Sequence, residues 1–262
     1  MRGKEPGKVE RKGLSGSTLK LIAIITMLID HVAAAVLMRF LKTRGSTVDG
    51  SLISGLIESG MLQQIYDTMR GVGRIAFPIF CFLLVEGFEH TRDRKKYALR
   101  LGLFALLSEI PFDLAFSGCV LEYHYQNVFF TLFLGLLTMM AYRWTEEQTR
   151  WDAFPRTLLL MIEVLVGLGA AELLSTDYGG RGVWCIMMLY LFRKKRVWQV
   201  VAGCLAFFWW ELPAVIAFLP IALYNGKRGW NVKYFFYFFY PVHLLLLYLI
   251  CWGCGLGHIS AI

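Results

Sequence analysis

Two histidines lie inside long apolar stretches, one near each end of the 262-residue chain. His31 follows Asp30 within Leu19–Met38, and His243 sits within Asn231–Cys251. At ~1.5 Å of helical rise per residue, His31 is about 16 Å beyond Lys20 and His243 about 15 Å beyond Lys233. If both lysines mark the same membrane face, the two imidazoles reach one mid-membrane level. A neutral imidazole is affordable at such depth and can act as a general base near neutral pH. The chemistry that this spacing suggests is proton abstraction from an acceptor held inside a helical bundle. Asp30 is adjacent to His31 but does not share its helix face, so its expected partner is an arginine on another helix.

Other charged groups also interrupt apolar runs, where each is expensive and needs a reason. Arg74 opens the stretch Gly-Arg-Ile-Ala-Phe-Pro, and Glu86 follows about three turns later. Glu109 and Asp113 flank Pro111 at a spacing of four, so both can face one way, and either is an expected ion-pair partner for Arg74. A purely structural, helix-joining role serves Asp30, Arg74, Glu86, Glu109 and Asp113 equally well. For Glu163 and Glu172 it is the preferred reading. Gly71, Gly102, Gly135 and Gly167 read as helix-packing positions. Cys251 and Cys254 with His258 supply three ligands where zinc usually wants four, so no metal is expected and a disulfide is the better reading of that pair.

The elements that must position these groups are membrane helices. Hydrophobic residues make up 57% of the chain and charged residues 18%, against roughly 45–50% and about 25% in soluble domains. One soluble core of this size cannot hide so many uniformly apolar helices. The predicted fold is all-α and polytopic. A basic segment over 1–18 precedes one helical membrane domain over 19–254 and a short tail over 255–262. Spans are expected at Leu19–Met38, Val72–Phe88, Tyr97–Phe116 (broken near Pro111), Asn127–Tyr142, Thr157–Leu174 and Gly182–Phe192 extended back to about Tyr178. Val48–Tyr66 reads as a loop plus an interfacial helix. Val197–Tyr224 is interrupted by Glu211-Leu-Pro213 and fits two thin spans or a re-entrant hairpin, and Asn231–Cys251 is the last span with Pro241 near its middle. The total is nine transmembrane helices, or seven plus the hairpin.

The net charge of +8, from 27 Lys and Arg against 19 Asp and Glu, belongs to topology and not to nucleic acid. The basic residues cluster at Arg2–Lys20, Arg92–Arg100, Arg143–Arg156, Arg193–Arg196 and Lys227–Lys233, each pair separated by an even number of crossings. The positive-inside rule then puts all five clusters and the N-terminus in the cytoplasm. Arg39, Lys42 and Arg44 fall on the other side, as an anionic acceptor site or as tolerated exceptions. The apolar run after the basic N-terminal residues lacks a small-residue cleavage site and reads as an uncleaved first span.

Several segments together carry a resemblance. They are LKLIAIITMLIDH (Leu19–His31), GRIAFPIFCFLLVEGFEHT (Gly73–Thr91), RLGLFALLSEIPFDL (Arg100–Leu114), QNVFFTLFLG (Gln126–Gly135), DYGGRG (Asp177–Gly182), FLPIALYNGKRG (Phe218–Gly229) and KYFFYFFYPVHL (Lys233–Leu244). In this order, across nearly the whole chain, they resemble the TraX family, named for a conjugative-plasmid protein associated with N-terminal acetylation of pilin. The family is also similar to integral membrane acyltransferases that modify exported sugars and polymers. The resemblance implies acetyl transfer from acetyl-CoA, the donor substrate, to an amine or hydroxyl of an exported protein, glycan or lipid. Asp30, His31, Arg74, Glu86, Glu109, Asp113, Asn127, Asp177, Tyr240 and His243 occupy the family-like motifs. Of these, His31 or His243 suits the base, with a slight preference for His31. Arg74, Asn127 or Tyr240 suits the donor to the oxyanion, with Asp30 and Glu109 completing the catalytic set. Arg100, Lys227, Arg228 and Lys233 are the expected contacts to the CoA phosphates. The expected setting is the inner (cytoplasmic) membrane, with the lipid bilayer as partner and self-association left open.

Two other classes use the same residue types. A small proton-coupled transporter also needs intramembrane carboxylates and histidines, although no inverted repeat is visible between the halves. An assembly protein would use them only to fold. For the topology, reporter fusions after Arg94, Arg150, Lys194 and Lys227 should all read cytoplasmic; one clearly external fusion breaks the even-crossing argument.

Overall fold

The computed structural model describes residues 13–43, 60–230 and 233–261, with the side chains of Lys233 and Tyr234 excluded. Arg44, most of the interfacial helix expected over 48–66, the first twelve residues of the basic segment and the Lys233 side chain therefore lie outside the described residues. Apart from two isolated bridges, every regular element described is helical.

Helix α1 (Gly16–His31) is capped by Ser15, whose hydroxyl accepts from the Thr18 amide. It passes through a π-helical stretch at Val32–Leu37 into α2 (Met38–Thr43), forming one continuous rod. Such π turns are rare and concentrate at functional positions; this one begins directly after His31. Helices α3 (Met61–Gly73) and α4 (Ala76–His90) meet at a two-residue turn at Arg74–Ile75. The described helix thus starts eleven residues before the span expected at Val72 (72 − 61). Asp93 caps α5 (Arg94–Phe116), and the Lys96 amide holds its carboxylate below the usual range. Contrary to expectation, α5 does not break at Pro111. A proline removes one helical donor, and the buried face at Ser108, Phe112 and Ala115 carries the helix past it.

Asn127 caps α6 (Val128–Glu146) by accepting from the Phe129 amide. Next come α7 (Ala153–Leu173) and α8 (Gly179–Leu191). Helix α9 (Arg196–Phe208), a 3₁₀ turn (Leu212–Ala217) and α10 (Phe218–Ala222) form a hairpin. Helix α11 (Lys233–Gly253) closes the bundle and continues through Pro241.

Among the described residues, five helical stretches have the length and apolar composition to cross a membrane: Gly16–Thr43, Met61–His90, Val128–Glu146, Ala153–Leu173 and Phe235–Gly253. Helix α5 has the length but carries charges at both ends. Helices α8 and α9, of 13 residues each, reach only about 20 Å at the usual rise, short of the ~30 Å hydrocarbon thickness. The α9–α10 unit leaves and returns on one side. The Arg196 guanidinium at its start lies 5.1 Å from the Tyr224 ring at its end, while Glu211 at its tip reaches Arg74.

Basic residues gather at one end of the bundle. Arg196 pairs with Glu86, and Arg193 with Glu89 and Glu146. Arg94 lies over Phe88 and Lys20 over Phe236. This basic end collects the start of α1, the end of α4, the start of α5, the ends of α6 and α8, and the start of α11. Helix α8 is the buried centre, with Val183, Cys185, Ile186, Met187 and Leu189 fully enclosed. Small residues let its neighbours approach: a side chain at Gly135 would strike Ile186, and one at Gly167 would strike Thr138. Gly71, in contrast, faces open space and is not a packing position. Helix α7 turns most of its apolar surface outward, as Leu165, Val166 and Leu173 show. In a bilayer that face costs nothing, because lipid is as apolar as leucine.

Candidate active site

The two histidines meet. His31 Nδ1 lies 2.6 Å from His243 Nε2, with the rings parallel and their centroids 4.9 Å apart. His243 Nδ1 lies 2.7 Å from the Phe239 carbonyl oxygen. A carbonyl only accepts, so His243 Nδ1 carries a proton and donates it. With both rings neutral, His243 Nε2 is then an acceptor, and His31 Nδ1 must donate to it. This leaves the lone pair on His31 Nε2. The chain of bonds therefore distinguishes the two rings: His31 keeps an unprotonated nitrogen, and His243 fixes its tautomer and orientation. Phe116 and Tyr240 hold the His31 ring edge-on, at 5.4 and 5.8 Å between centroids, and Phe239 stacks on His243.

His31 opens on a cavity of about 360 Å³ at the end of the bundle opposite the basic clusters. Asp30, Arg70, Arg74, Asp177 and Tyr178 share its wall. Asp30 bonds Arg70 on α3, which fulfils the expectation of an arginine from another helix. The contact depends on Gly73, since a Cβ there would lie 2.2 Å from Asp30 Cβ. Tyr125 donates to Asp177, and the Tyr178 ring stacks on Phe77 at 3.5 Å.

The expected pairing of Arg74 with Glu109 or Asp113 does not occur. Arg74 Nε lies 3.5 Å from Glu211 Oε2, because the α9–α10 tip folds in beside it. Glu109 instead accepts from the Asn127 side chain, whose amide nitrogen also donates to the Ala105 carbonyl at 2.8 Å. Asp113 accepts from the Glu122 amide at 2.9 Å. Glu109, Asp113 and Asn127 thus bind α5 to α6 and to the loop between them, and none of the three lines the cavity. Glu163 and Glu172 are structural as read: they accept from the Thr145 hydroxyl and the Gly180 amide. Arg39 is neither an exposed exception nor an anion site. It is fully buried and donates to the carbonyls of Ala35, Leu114, Ala115 and Ile259. Cys251 and Cys254 are free thiols, which corrects the disulfide reading.

A second cavity, of about 550 Å³, opens at the basic end. Lys20, Arg100 and Arg228 stand on its wall, with the rings of Phe236, Tyr237 and Tyr240 below them. The Arg100 Nε is buried without a protein partner among the described residues. Backbone bonds fix the rim, since Gly16 and Ser17 donate to the carbonyls of Lys227 and Arg228. Of the four expected phosphate contacts, Arg100 and Arg228 line this cavity; the Lys227 side chain is not on its wall. Met27, Phe80 and Val128 line both cavities and form the partition between them. Tyr240 on one side and His31 on the other touch across it.

Sequence reasoning missed Lys20, Arg70, Tyr125 and Tyr178. Arg70 had a usable signal, since it stands four residues before Arg74 on one helix face, but the helix was expected to begin after it.

The family described as TraX protein matches residues 15–251. The chain belongs to the TraX family. It is 32% identical, over 263 aligned residues, to "Probable fimbrial assembly protein FimC, serogroup H1" of Dichelobacter nodosus. That alignment covers 89% of this chain and 94% of the relative. No solved structure matches. The GRIAFP and DYGG segments that carry the family resemblance supply Arg74, Asp177 and Tyr178 to the His31 cavity, and the YPVH segment supplies Tyr240 to the basic-end cavity and His243 to the bond with His31.

The Asp30–Arg70 pair yields a direct test. Removing one member leaves a half-buried charge without its partner, which costs less than the several kcal/mol typical of a fully buried one. Asp30→Asn and Arg70→Gln should each lower the melting temperature of the detergent-solubilised protein, and their combination should cost less than the sum. Strictly additive losses would show that the pair does not couple.

Proposed function

We propose that this protein is a membrane acetyltransferase that takes acetyl-CoA at the basic end and acetylates an amine or hydroxyl presented at the opposite face. The observation that carries this reading is the pair of back-to-back cavities in contact through Tyr240 and His31: one holds Lys20, Arg100 and Arg228, its Glu86 being paired with Arg196, and the other holds the His31 ring, its Arg70 and Arg74 being paired with carboxylates. The basic end would face the cytoplasm under the positive-inside rule, with seven crossings and α9–α10 as a re-entrant hairpin. The setting would be the inner membrane.

Lys20, Arg100 and Arg228 would engage the donor's phosphates, with Lys227 and Lys233 available nearby in sequence. The aromatic floor would hold the pantetheine arm and aim the thioester at the partition. His31 Nε2 removes the acceptor proton as the acceptor atom attacks the thioester carbon. His243 accepts the growing positive character through the His31 Nδ1–H bond. The Tyr240 hydroxyl is the nearest candidate donor to the developing oxyanion. The C–S bond then breaks, and the CoA thiolate takes the proton from the imidazolium. The products are free CoA and an acetylated acceptor. A thioester is already activated, so the step asks for neither a metal nor a covalent enzyme intermediate. The relative's name, fimbrial assembly protein, favours a pilin-type protein among the exported acceptors, over a glycan or lipid.

Purified protein should move labelled acetyl from acetyl-CoA to a short peptide with a free amino terminus or to a hexosamine. His31→Ala should reduce transfer by about 10²–10⁴-fold, the usual worth of a positioned base, with acetyl-CoA binding retained. His243→Asn, which can still accept from His31 Nδ1–H, should lose less than His243→Ala. Full turnover in His31→Ala would contradict the assignment.

A further inference from the structure

The wall of the His31 cavity includes a residue from far along the chain, Ala261. After α11 the chain turns at Gly255, whose φ of +73° is in the left-handed region, and doubles back over the ends of α5 and α2. Leu256 is fully buried and anchors the turn. Beyond it the segment is held by polar bonds to its own backbone. Arg39 Nε donates to the Ile259 carbonyl at 2.7 Å, Lys42 Nζ donates to the Ser260 carbonyl at 3.1 Å, and the Ala261 amide donates to the Phe116 carbonyl at 2.6 Å.

This arrangement explains why a fully buried arginine stands at this end of the bundle. Its guanidinium satisfies carbonyls at the α5 terminus, where helical donors run out, and with a further nitrogen it grips the returning segment. The grip uses backbone carbonyls, so it holds whatever the side chains at 259 and 260 are. The pivot at Gly255 and the anchor at Leu256 lie on the α11 side, while the polar latch lies on the cavity side. A segment held at its far end by a few hydrogen bonds opens locally more easily than the packed helices beneath it.

We propose that residues 256–261 form a latched gate over the His31 cavity, with Arg39 as the latch and Ala261 as the gatekeeping side chain that sets the size of molecule able to enter. Its assignment as the acceptor's entrance rests on the acetyltransferase reading; the gate itself does not.

The test therefore reads entry first and chemistry second. Ala34 lines the same cavity. Ala34→Cys is placed in a background with the exposed Cys119 and Cys254 replaced by serine, and its labelling is followed with a small and a bulky methanethiosulfonate reagent. With the gate intact, the bulky reagent should lag behind the small one. Truncation after Gly255 should speed the bulky reagent by about tenfold or more, as expected when a local opening step is removed. Arg39→Lys, which keeps the charge but loses the forked contact, should act in the same direction. Ala261→Trp should slow both reagents without disturbing the latch. If none of these changes alters labelling in folded, monodisperse protein, the gate is overturned. Acetyl transfer is then measured on the same variants with ethanolamine and with a tripeptide: Ala261→Trp should lose the tripeptide more than ethanolamine. Altered labelling without any acetyl transfer from the intact chain would retain the gate and reject the acetyltransferase reading.

Discussion

The hydrogen bond between His31 and His243 is the constraint on which the arrangement depends. An imidazole without partners is costly in an apolar interior. Each ring here solves the problem of the other, and the Phe239 carbonyl closes the chain of donors. That bond ties the first helical rod to the last, residues 212 positions apart. It also leaves one nitrogen, His31 Nε2, with its lone pair uncommitted, on a ring that lines the cavity. The π turn that follows His31 and the edge-on rings of Phe116 and Tyr240 maintain this orientation.

Other charges within the bundle, buried or half-buried, take partners from other elements. Asp30 takes Arg70, Arg74 takes Glu211, Glu86 takes Arg196, and Arg39 takes a set of main-chain carbonyls. Each pairing joins segments distant in sequence, so the charges define the bundle as much as the apolar faces do. In lipid the apolar faces discriminate poorly between helix neighbours, and polar contacts and small residues supply the discrimination. The close fit of Gly73 on Asp30 and of Gly135 on Ile186 is the steric half of that specification.

Much of this was legible in the sequence. Helical rise alone put His31 and His243 at one depth, and apolar run lengths located most helices to within a few residues. The interruption at Glu211-Leu-Pro213 was legible too: Val197–Tyr224 folds as two helices that turn back on each other there. What could not be read was which charge meets which. Glu109 and Asp113 matched Arg74 in depth, yet depth says nothing about azimuth around the bundle, and the hairpin tip brought Glu211 instead. Pro111 marked a break that tertiary packing overrode. Asn127 looked like an oxyanion donor, but its amide is consumed by the Ala105 carbonyl and Glu109. The role of Arg39 was hidden because its partners are backbone carbonyls, which leave no trace in residue type.

Two cavities back to back give the molecule a polarity: cations and an aromatic floor at one end, an imidazole with paired charges at the other, and a thin partition of Met27, Phe80 and Val128 between them. The central claim is that an acetyl group crosses this partition while its carrier stays behind. The most direct measurement uses proteoliposomes of determined orientation, with labelled acetyl-CoA supplied only at the basic face and an impermeant peptide amine only at the other. The account predicts acetylated peptide in the far compartment and free CoA in the near one. Acetylated product formed only when donor and acceptor share a compartment would contradict it.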